Sequence, residues 1–366
     1  MTKKRRIIVI LFIIAIFVMA FGVSCTSLMN KPLGPSLKGS PTKQVGSGSG
    51  NAQNQNQTPA PSQSQNQSQS QSQSQSQSQS QSQATQLPPL CGNMPVLTVL
   101  AVGIDYRPDN YLYGLADAIR IVRVDFTSHQ VSVLTLDRNI WVEIPGISDH
   151  YGITHGLLNQ AYFFGVPAMG YYDGPGGGAG LLAATLKQNF DLDVDNYVVV
   201  DMAVFVKFVD ALGGIDVNLP TFVDGSPNLP SFNAGEQHLS GQQALNLARI
   251  RMKYSTIFRN NNQTIVLNAI FAKLKSPEII TRIPKLLLSF QKAGLTDLSP
   301  RQIEDMVCLM KKTGETDLTF RSIPDKYYVA GWIYDEYMHQ DDWIWKIDFN
   351  VFRSYISDFM KGQWPK

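Results

Sequence analysis

Apolar residues divide the chain into three zones. A run of about 18 apolar residues, positions 7–24, follows a basic N-terminus, and residues 25–90 are poor in apolar side chains. From Cys91 to Lys366 the chain alternates between runs with strand-like and helix-like spacing. The pattern therefore predicts one apolar segment, one unpacked segment and one folded region.

The folded region contains runs rich in Val, Ile and Leu, as strands of a buried sheet require. These strand-like runs cover residues 97–103, 118–126, 130–136, 196–202 and 215–219, and shorter ones follow Lys312. Helix-like runs cover residues 180–190, 202–212, 240–250, 264–275, 299–312 and 350–361. Strands mixed with helices predict an α/β fold with a mixed central β-sheet flanked by helices on both faces, an α-β-α sandwich. The short turn between Thr127 and Gln130 indicates an antiparallel pair within that sheet.

The composition of the folded region shows no linker-like shift. About 275 residues can form one large domain. We divide this region into a core domain, residues 91–275, and a C-terminal extension, residues 276–366, packed on the core.

The N-terminal apolar run predicts a transmembrane helix. An α-helix over residues 7–24 spans roughly 27 Å, close to the thickness of a bilayer core. The basic flank, residues 1–6, is expected to stay cytoplasmic, which places the rest of the chain outside the cell as a single-pass membrane protein. Two alternatives stay open: a cleaved signal peptide, and a lipoprotein in which Cys25 carries the lipid.

Residues 25–90 consist largely of Ser, Gln, Asn, Gly and Pro, including a long Ser-Gln repeat. Such a composition buries too little apolar surface to offset chain entropy, so we expect a disordered linker. A flexible coil of about 60 residues has a root-mean-square reach of roughly 40–45 Å. A spacer between membrane and domain and a passive insertion are equally compatible with this composition.

The distribution of charge draws attention to three arginines. From Cys91 onward the chain has 24 basic and 29 acidic residues, a net charge of −5. Within this acidic region Arg249, Arg251 and Arg259 lie close together in the sequence. Guanidinium groups bind phosphate oxygens with two parallel hydrogen bonds, although pairing with carboxylates on a helix surface is the common alternative.

Charged residues also follow the predicted buried strands. Asp105 lies at the end of one strand, Asp117 lies just before the next, and Arg138 follows a third. Ligands of α/β proteins bind at strand ends, and two adjacent carboxylates suit Mg²⁺. The alternative is that each aspartate caps a turn or helix and that Arg138 forms a surface ion pair.

The chain has three cysteines, too few for a disulfide scaffold. In an oxidising compartment Cys91 and Cys308 can pair, which would tie the start of the folded region to its C-terminal part.

Four motifs occur in a characteristic order and spacing. They are GIDYR at 103–107, LTLDR at 134–138, NYVVVDMAVFVKFVDALGGIDVNLP at 196–220 and FNAGEQHLSGQQALNLARIR at 232–251. Over residues 95–275 the chain thereby resembles the LytR-CpsA-Psr family, whose members carry the cell envelope-related transcriptional attenuator domain.

The resemblance implies a membrane-anchored bacterial phosphotransferase of cell wall biogenesis, with its catalytic domain outside the membrane. Such an enzyme moves a glycopolymer from a polyprenyl-pyrophosphate carrier to peptidoglycan or another wall acceptor. Asp105 and Asp117 match the family's Mg²⁺ ligands, and Arg138 matches an arginine on the pyrophosphate. The further pyrophosphate-binding positions that match are Arg249, Arg251, Arg259 and Gln263.

The chain departs from the family pattern at several positions. Leu115 and Ala116 stand where an arginine and a serine precede the second aspartate, and Arg107 or Arg120 is hypothesised to supply the missing charge. Asn139 replaces an acid after Arg138, Thr256 replaces another acid, and Asn262 replaces an arginine. Two alternative functions therefore stay open: a non-catalytic or regulatory protein that binds polyprenyl-pyrophosphate glycans, and a lipid pyrophosphatase. No nucleic-acid-binding motif occurs, and an outward-facing acidic domain argues against such a partner.

Overall fold

The computed structural model describes residues 29–38, 89, 91–105, 114–149, 152–226, 228–251, 256–280, 295–312 and 318–364. The chain divides into two units, residues 1–40 with 88–366 and residues 41–87, and every described residue belongs to the first. Among the described residues no helix is both long and apolar enough to cross a bilayer. The predicted membrane helix at 7–24 and most of the predicted linker lie outside the described residues.

The strands agree closely with the runs predicted from apolar content. They are β1 (Val96–Ile104), β2 (Ala116–Asp125), β3 (Gln130–Leu136), β4 (Trp141–Glu143), β5 (His155–Leu157), β6 (Asn196–Asp201), β7 (Ile215–Leu219), β8 (Gly235–Leu239), β9 (Leu295–Thr296), β10 (Leu318–Ser322), β11 (Tyr328–Asp335) and β12 (Gln340–Ile347).

The helices alternate with these strands, as predicted. They are α1 (Leu158–Phe164), α2 (Gly177–Phe190), α3 (Met202–Ala211), α4 (Gly241–Arg249), α5 (Thr256–Leu274), α6 (Pro277–Ile280), α7 (Pro300–Met310) and α8 (Phe349–Met360). The prediction placed the start of α5 at residue 264, but the helix begins at Thr256. Polar residues occupy most of its first two turns, so apolar periodicity does not mark this start.

Local sequence signals explain where several helices begin. Ser240 and Ser299 each cap a helix in a capping box, in which the serine oxygen accepts from a backbone N–H group three residues on. Asp201 and Asp348 cap α3 and α8 in a similar way, through their carboxylates. These caps satisfy N–H groups that the helix itself leaves unpaired.

The central sheet has six strands in the order β10-β3-β2-β1-β6-β9. Strand β2 runs antiparallel to both β1 and β3, whereas β1 pairs with β6 and β3 pairs with β10 in parallel. The mixed sheet and the antiparallel turn at Thr127 are therefore confirmed. The predicted strand at 215–219 does form, but it pairs with β8 in a separate hairpin rather than in the central sheet.

Apolar residues cover both faces of the sheet because alternate side chains of each strand point to opposite faces. On one face Leu100 and Ile121 pack with helices α1, α2 and α8. On the other face Leu97 and Val124 pack with α7. A further cluster joins α3, α4, α5 and the β7–β8 hairpin, and it contains Val266, so the apolar side of α5 is core packing.

A disulfide joins Cys91 to Cys308, with the two Cα atoms 5.9 Å apart. Both cysteines lie at the cluster on the α7 face of the sheet. The pairing predicted from compartment is thus confirmed, and it connects the residues before β1 to α7.

Residues 29–38 lie on the folded unit, although their composition placed them in the predicted linker. The Leu33 N–H group donates to the Leu298 carbonyl at 3.1 Å, and the Leu37 N–H group donates to the Asp297 carboxylate at 3.1 Å. The Tyr197 hydroxyl donates to the Pro35 carbonyl at 2.8 Å. Short leucine-containing stretches can dock on an edge without any periodic pattern, so composition does not reveal them.

Removing the disulfide should destabilise the folded unit. A bridge that closes a loop of this length restricts the unfolded chain strongly, and losing such a native bridge costs about 2–5 kcal/mol. We expect Cys308→Ser to lower the melting temperature of the chain and to remove its sensitivity to reducing agents. The wild-type chain under reducing conditions serves as the matched control. Equal melting temperatures for both chains in the absence of reductant would contradict a stabilising bridge.

Candidate active site

The predicted site residues come from separate stretches of chain that meet at one end of the central sheet. Because β2 runs antiparallel to both neighbours, the start of β2 lies beside the ends of β1 and β3. Helix α4 ends at the same place and α5 begins there. The residues brought together are Asp105 after β1, Asp117 and Arg120 in β2, Arg138 after β3, Arg249 and Arg251 at the end of α4, and Arg259 in α5.

A β-bulge sets the direction of Asp117. Gly103 pairs with Ala118 and Ile104 pairs with Ala116, so Asp117 is left without a partner in the ladder. Bulges redirect side chains at the ends of strands. Here the bulge lets Asp117 face Arg259, as Arg120 does three residues further along the strand.

Asp117 is the carboxylate at the centre of the cluster. Its Oδ1 atom accepts from Arg138, and its Oδ2 atom accepts from the Arg251 Nη2 atom at 3.3 Å. The Asp117 side chain is 26 % exposed and that of Arg138 is 17 % exposed, whereas half of the Arg251 side chain faces solvent. The ion pairs therefore lie at the mouth of a partly buried site.

Asp105 lies beside this centre. Its Oδ1 atom accepts from the Leu115 N–H group at 2.7 Å, and its own N–H group donates to the Leu115 carbonyl at 3.2 Å. These bonds hold the end of β1 against the chain that leads into β2. The negative charge of Asp105 acts on Arg251, so both predicted carboxylates face the same guanidinium group.

Two further arginines are almost fully buried behind Asp117. Burial, with the nearby Arg259 charge, lowers the pKa of Arg120 to about 10. Burial, with the nearby Arg138 charge, likewise lowers the pKa of Arg259 to about 10. Both values lie above 7, so both groups stay charged at neutral pH, in surroundings that disfavour the charge.

Gln263 connects Arg120 to the end of α4. Its Oε1 atom accepts from the Arg120 Nη2 atom at 2.8 Å, and its Nε2 atom donates to the Ala248 carbonyl at 3.4 Å. Gln263 and Arg259 are four residues apart and so lie on one face of α5. In this structure Gln263 therefore orients an arginine of the predicted pyrophosphate site.

The end of helix α4 lets Arg249 and Arg251 reach the same region. Two residues apart on a regular helix they would point away from each other. The helix ends at Arg249, and Ile250 is extended with φ −60° and ψ 129°. The charge of Arg249 acts on Arg251, so the two groups lie near each other. Residues 252–255 lie outside the described part of the chain.

Sequence reasoning missed one carboxylate of this cluster, Asp137. Its side chain is buried, its Oδ1 atom accepts from the Asn139 N–H group at 2.9 Å, and its charge acts on both Arg120 and Arg259. The signal was present in the sequence, because an acid at the end of an apolar strand needs a partner. Five arginines thus face three carboxylates, an excess of two positive charges.

Several buried donors of the cluster have no hydrogen-bond acceptor among the described residues. They are Arg120 Nε and Nη1, Arg138 Nε, Arg259 Nε and Asn262 Nδ2. Buried donors of folded proteins are nearly always paired, so a group of unpaired donors around surplus positive charge indicates an anion site. Asn262 lies on the same helix as Arg259, three residues further on, and its buried amide donor is neutral.

The remaining predicted positions can be placed only in part. Arg107 lies outside the described residues, so its hypothesised contribution is not tested. Thr256 is the first residue of α5. Asn139 donates from its Nδ2 atom to the Trp343 carbonyl at 3.5 Å, which links the chain after Arg138 to β12.

The donor set of the site fits magnesium. Carboxylate oxygens are preferred Mg²⁺ ligands, and the ion commonly uses one or two of them with phosphate oxygens and water. Asp105 and Asp117 would hold it. Within the described ranges no group of three or more His, Cys, Asp or Glu side chains is arranged around a metal position. Substrate oxygens would therefore have to complete the coordination.

Comparison with known proteins gives a consistent picture. A model of the LytR_cpsA_psr family matches residues 54–346. The polyisoprenyl-teichoic acid–peptidoglycan teichoic acid transferase TagU of Oceanobacillus iheyensis is 28 % identical over 216 residues, 58 % of this chain and 62 % of TagU. The corresponding transferase TagV of Bacillus subtilis is 28 % identical over 196 residues, 52 % of this chain and 46 % of TagV. The chain thus spans roughly half to two thirds of the length of these relatives.

Solved structures of similar fold cover most of the chain. The crystal structure of B. subtilis TagV superposes with a TM-score of 0.55 at 20 % identity, over 74 % of this chain and 98 % of the TagV chain in that crystal structure. A structure of TagT bound to LIIa-WTA superposes with a TM-score of 0.53 at 18 % identity, over 73 % of this chain and 90 % of TagT. At these identities the likeness establishes the mixed α/β fold.

Because the site carries surplus positive charge, binding of pyrophosphate should stabilise the folded protein. A bound anion at 100 times its dissociation constant adds about 2.7 kcal/mol to the free energy of unfolding. We expect inorganic pyrophosphate to raise the melting temperature of the wild-type chain. Arg259→Met should remove most of this increase. Without ligand, the Arg259→Met chain should melt at the same temperature as the wild type or higher. The substitution removes a buried positive charge that neighbouring positive charges repel.

Arg301→Met provides the matched control. Arg301 lies on α7 with a half-exposed side chain and pairs with Asp305 within its own helix. This variant should keep the full pyrophosphate response. If pyrophosphate raises the melting temperature of the Arg259→Met chain as much as that of the wild type, the anion site is refuted.

Proposed function

Because the chain belongs to the LytR_cpsA_psr family, we propose that it is a membrane-anchored, extracytoplasmic phosphotransferase. It moves a glycopolymer from a polyprenyl-pyrophosphate carrier to a cell-wall acceptor such as peptidoglycan. The names of TagU and TagV, teichoic acid transferases that use a polyisoprenyl-linked donor and peptidoglycan, support this substrate class.

One observation supports the proposal above all others: the arginine cluster carries unpaired donors and surplus positive charge inside an otherwise acidic domain. From Cys91 onward the net charge is −5, whereas the cluster has an excess of two positive charges. A pyrophosphate diester carries two negative charges, so its charge matches the excess. Guanidinium groups also suit phosphate oxygens better than lysine does, because they bind two oxygens at once.

The reaction exchanges one phosphoester bond for another. The oxygen of an acceptor hydroxyl attacks the phosphorus attached to the first sugar of the donor. The bond between that phosphorus and the bridging oxygen breaks, and polyprenyl phosphate leaves with the electron pair. A phosphodiester then links the polymer to the acceptor, and the hydroxyl proton is taken up by a carboxylate of the Asp105–Asp117 pair.

The arginines stabilise the charge that develops on the leaving phosphate. Arg138 and Arg251 lie at the mouth of the site, where they can exchange Asp117 for phosphate oxygens. Arg120 and Arg259 lie deeper, and their unpaired N–H groups point to charge that the protein itself does not supply. A bound Mg²⁺ on Asp105 and Asp117 would further neutralise the pyrophosphate oxygens.

The membrane anchor is part of the proposal. The donor lipid lies in the bilayer, and the apolar run at 7–24 after a basic flank would hold the domain on the outer side of that membrane. Asn262 and Thr256, where the family has charges, favour two alternatives: a protein that binds the lipid-linked glycan without turnover, and a pyrophosphatase for which water is the acceptor.

The three functions give different products. The full chain in lipid vesicles is incubated with a lipid-pyrophosphate oligosaccharide, peptidoglycan fragments and Mg²⁺. A transferase forms polymer attached to the fragments together with polyprenyl phosphate. A pyrophosphatase releases polyprenyl phosphate and a free phosphorylated oligosaccharide. Tight binding without any product would reject both enzymes.

Two substitutions should remove turnover without unfolding the protein. Asp105→Asn keeps an oxygen that accepts from the Leu115 N–H group but loses the charge that would hold Mg²⁺. Arg138→Ala removes a donor at the mouth of the site. We expect each to lower kcat by at least about 100-fold, the size of effect found when a single charge-stabilising group is removed.

Exposed residues of the same types serve as controls. Asp193→Asn removes a carboxylate that pairs only with Lys187 on the surface, and Arg301→Ala removes a half-exposed arginine. Both controls should keep wild-type rates. Unchanged rates in the Asp105→Asn and Arg138→Ala chains would refute the assignment of the site.

A further inference from the structure

The C-terminal hairpin β11–β12 presents large aromatic side chains to solvent. Trp332 is 67 % exposed and Tyr334 is 54 % exposed. Exposed tryptophan is uncommon on a soluble domain, since burying its ring is favourable. The rings of Trp332 and Tyr334 therefore contribute little to core packing.

The exposed rings belong to one face of the hairpin. Trp332 lies opposite Trp343, and Ala330 lies opposite Trp345, so these side chains share a face. The Trp343 and Trp345 rings contact each other with centroids 4.5 Å apart. We call the five aromatic residues of this face the aromatic strip: Tyr328, Trp332, Tyr334, Trp343 and Trp345.

The inner end of the aromatic strip is attached to the chain that carries Arg138. The Trp345 N–H group donates to the Asn139 carbonyl at 2.9 Å, and Ile140 forms a β-bridge with Trp345. The Asn139 amide also donates to the Trp343 carbonyl. The strip therefore begins within two residues of the arginine cluster and leads away from it to the tip of the hairpin.

A cavity of about 220 Å³ lies at this inner end. Tyr328 and Trp345 of the strip form the apolar part of its wall together with Phe320 and Ile323. The polar side chains include Thr135, Asp137, Asn260 and Asn261. Aromatic and aliphatic side chains beside hydroxyl, amide and carboxylate groups suit a ligand with both apolar faces and hydroxyl groups, as a sugar ring has. The volume lies below the range of drug-sized ligand pockets.

The charge of the hairpin indicates which glycan could lie on it. Residues 328–347 contain four carboxylates and one lysine, and Asp341 lies directly opposite Tyr334. Asp335 is buried, but the other three acids would repel a phosphate-rich polymer and accept hydrogen bonds from sugar hydroxyls. Aromatic faces are electron-rich and attract the C–H groups on the apolar side of a sugar ring.

We propose that the aromatic strip and the adjoining cavity form a binding site for an uncharged glycan chain, the acceptor of the transfer reaction. Only the role of this glycan as the acceptor rests on the proposed function, because binding of a glycan requires no turnover. The strip lays the glycan along the hairpin with one end at the arginine cluster, where its hydroxyl meets the donor phosphorus.

Binding to a β-1,4-linked N-acetylglucosamine tetramer tests the proposal with the full chain in detergent micelles. Titration calorimetry should detect the tetramer on the wild type, and Trp332→Ala should weaken the dissociation constant by about tenfold, the effect of losing one aromatic contact. Val329→Ala is the matched control, since Val329 is 61 % exposed on the opposite face of the same hairpin. It should bind as the wild type does.

A second arm uses a glycerol phosphate oligomer of similar length in place of the tetramer. An uncharged ligand is supported if the chain binds this anion more weakly than the tetramer and if Trp332→Ala leaves the dissociation constant of the anion unchanged. The proposal is overturned if the wild type does not bind the tetramer, if Trp332→Ala binds it equally well, or if the anionic oligomer depends on Trp332. Loss of turnover in the wild type would instead count against the transferase reaction and leave the binding result standing.

An independent observation concerns residues 29–38, which we call the docked segment. Leu33 and Leu37 pack against two different core clusters, and their N–H groups donate to Leu298 and Asp297. Gly34 lies so close to the chain that a side-chain carbon there would be 2.6 Å from the Thr296 carbonyl oxygen. Close approach of this kind indicates a specific contact that only glycine permits.

We infer that the docked segment, and not the length of the Ser/Gln-rich stretch, sets how far the folded unit lies from the membrane. The chain between residues 38 and 91 starts and ends on the same unit, so its length adds nothing to that distance. With the predicted membrane helix ending at residue 24, the five Cα–Cα steps to residue 29 span at most roughly 18 Å. The same domain on a free linker would range over roughly 40–45 Å.

Hydrogen exchange tests whether the segment is docked in the full chain in vesicles. We expect the N–H groups of Leu33 and Leu37 to exchange at least about tenfold more slowly than in an unfolded peptide, as hydrogen-bonded amides do. Gly34→Val should abolish this protection, because its side chain collides with Thr296. Lys31→Val, at an exposed position of the same segment, should retain it.

Energy transfer between labelled lipid and a fluorophore at the C-terminus tests the distance. Lengthening the Ser-Gln repeat by 20 residues should leave the transfer efficiency unchanged, whereas Gly34→Val should lower it. Fast exchange at Leu33 and Leu37 in the wild type, or an efficiency that falls as the repeat lengthens, would overturn the inference.

Discussion

Surplus positive charge inside the folded unit is the constraint on which the site depends. Arg120 and Arg259 are both buried, and the repulsion between their positive charges is unfavourable. Asp117 and Asp137 compensate only part of this repulsion. The ligand-free protein therefore retains repulsion between arginines that a bound anion would relieve. Sites that keep unfavourable interactions in the ligand-free state are commonly functional, because binding of the ligand removes those interactions.

The surrounding fold is arranged to hold these charges in place. The antiparallel neighbours of β2 bring three strand ends together, and the bulge at Asp117 directs its carboxylate toward the arginines. Gln263 ties Arg120 to the end of α4, and β12 ties the chain after Arg138 to the C-terminal hairpin. Arg120 and the chain that carries Arg138 are thus each restrained by an element from a different part of the sequence.

The same arrangement would let the proposed substrates be bound as chemically distinct parts. The arginines suit the pyrophosphate, the aromatic strip suits an uncharged glycan, and the docked segment would keep both near the bilayer that holds the lipid. An acidic exterior around one positive site also disfavours polyanions elsewhere on the surface. Binding energy from the remote sugar contacts could then be used to position the reacting hydroxyl.

Sequence alone determined the class of fold, most strand and helix positions, the family resemblance and most candidate residues of the cluster, because apolar periodicity and motif order are local properties. It identified Cys91 and Cys308 as able to pair. It did not determine that Gln263 bonds an arginine or that Asp137 joins the site, since both depend on which strand ends meet. Composition could not separate residues 29–38 from the linker, because their few contacts are with distant β-strand and loop residues. Tertiary structure decided these points, since burial and charge interaction depend on neighbours that sequence distance does not reveal.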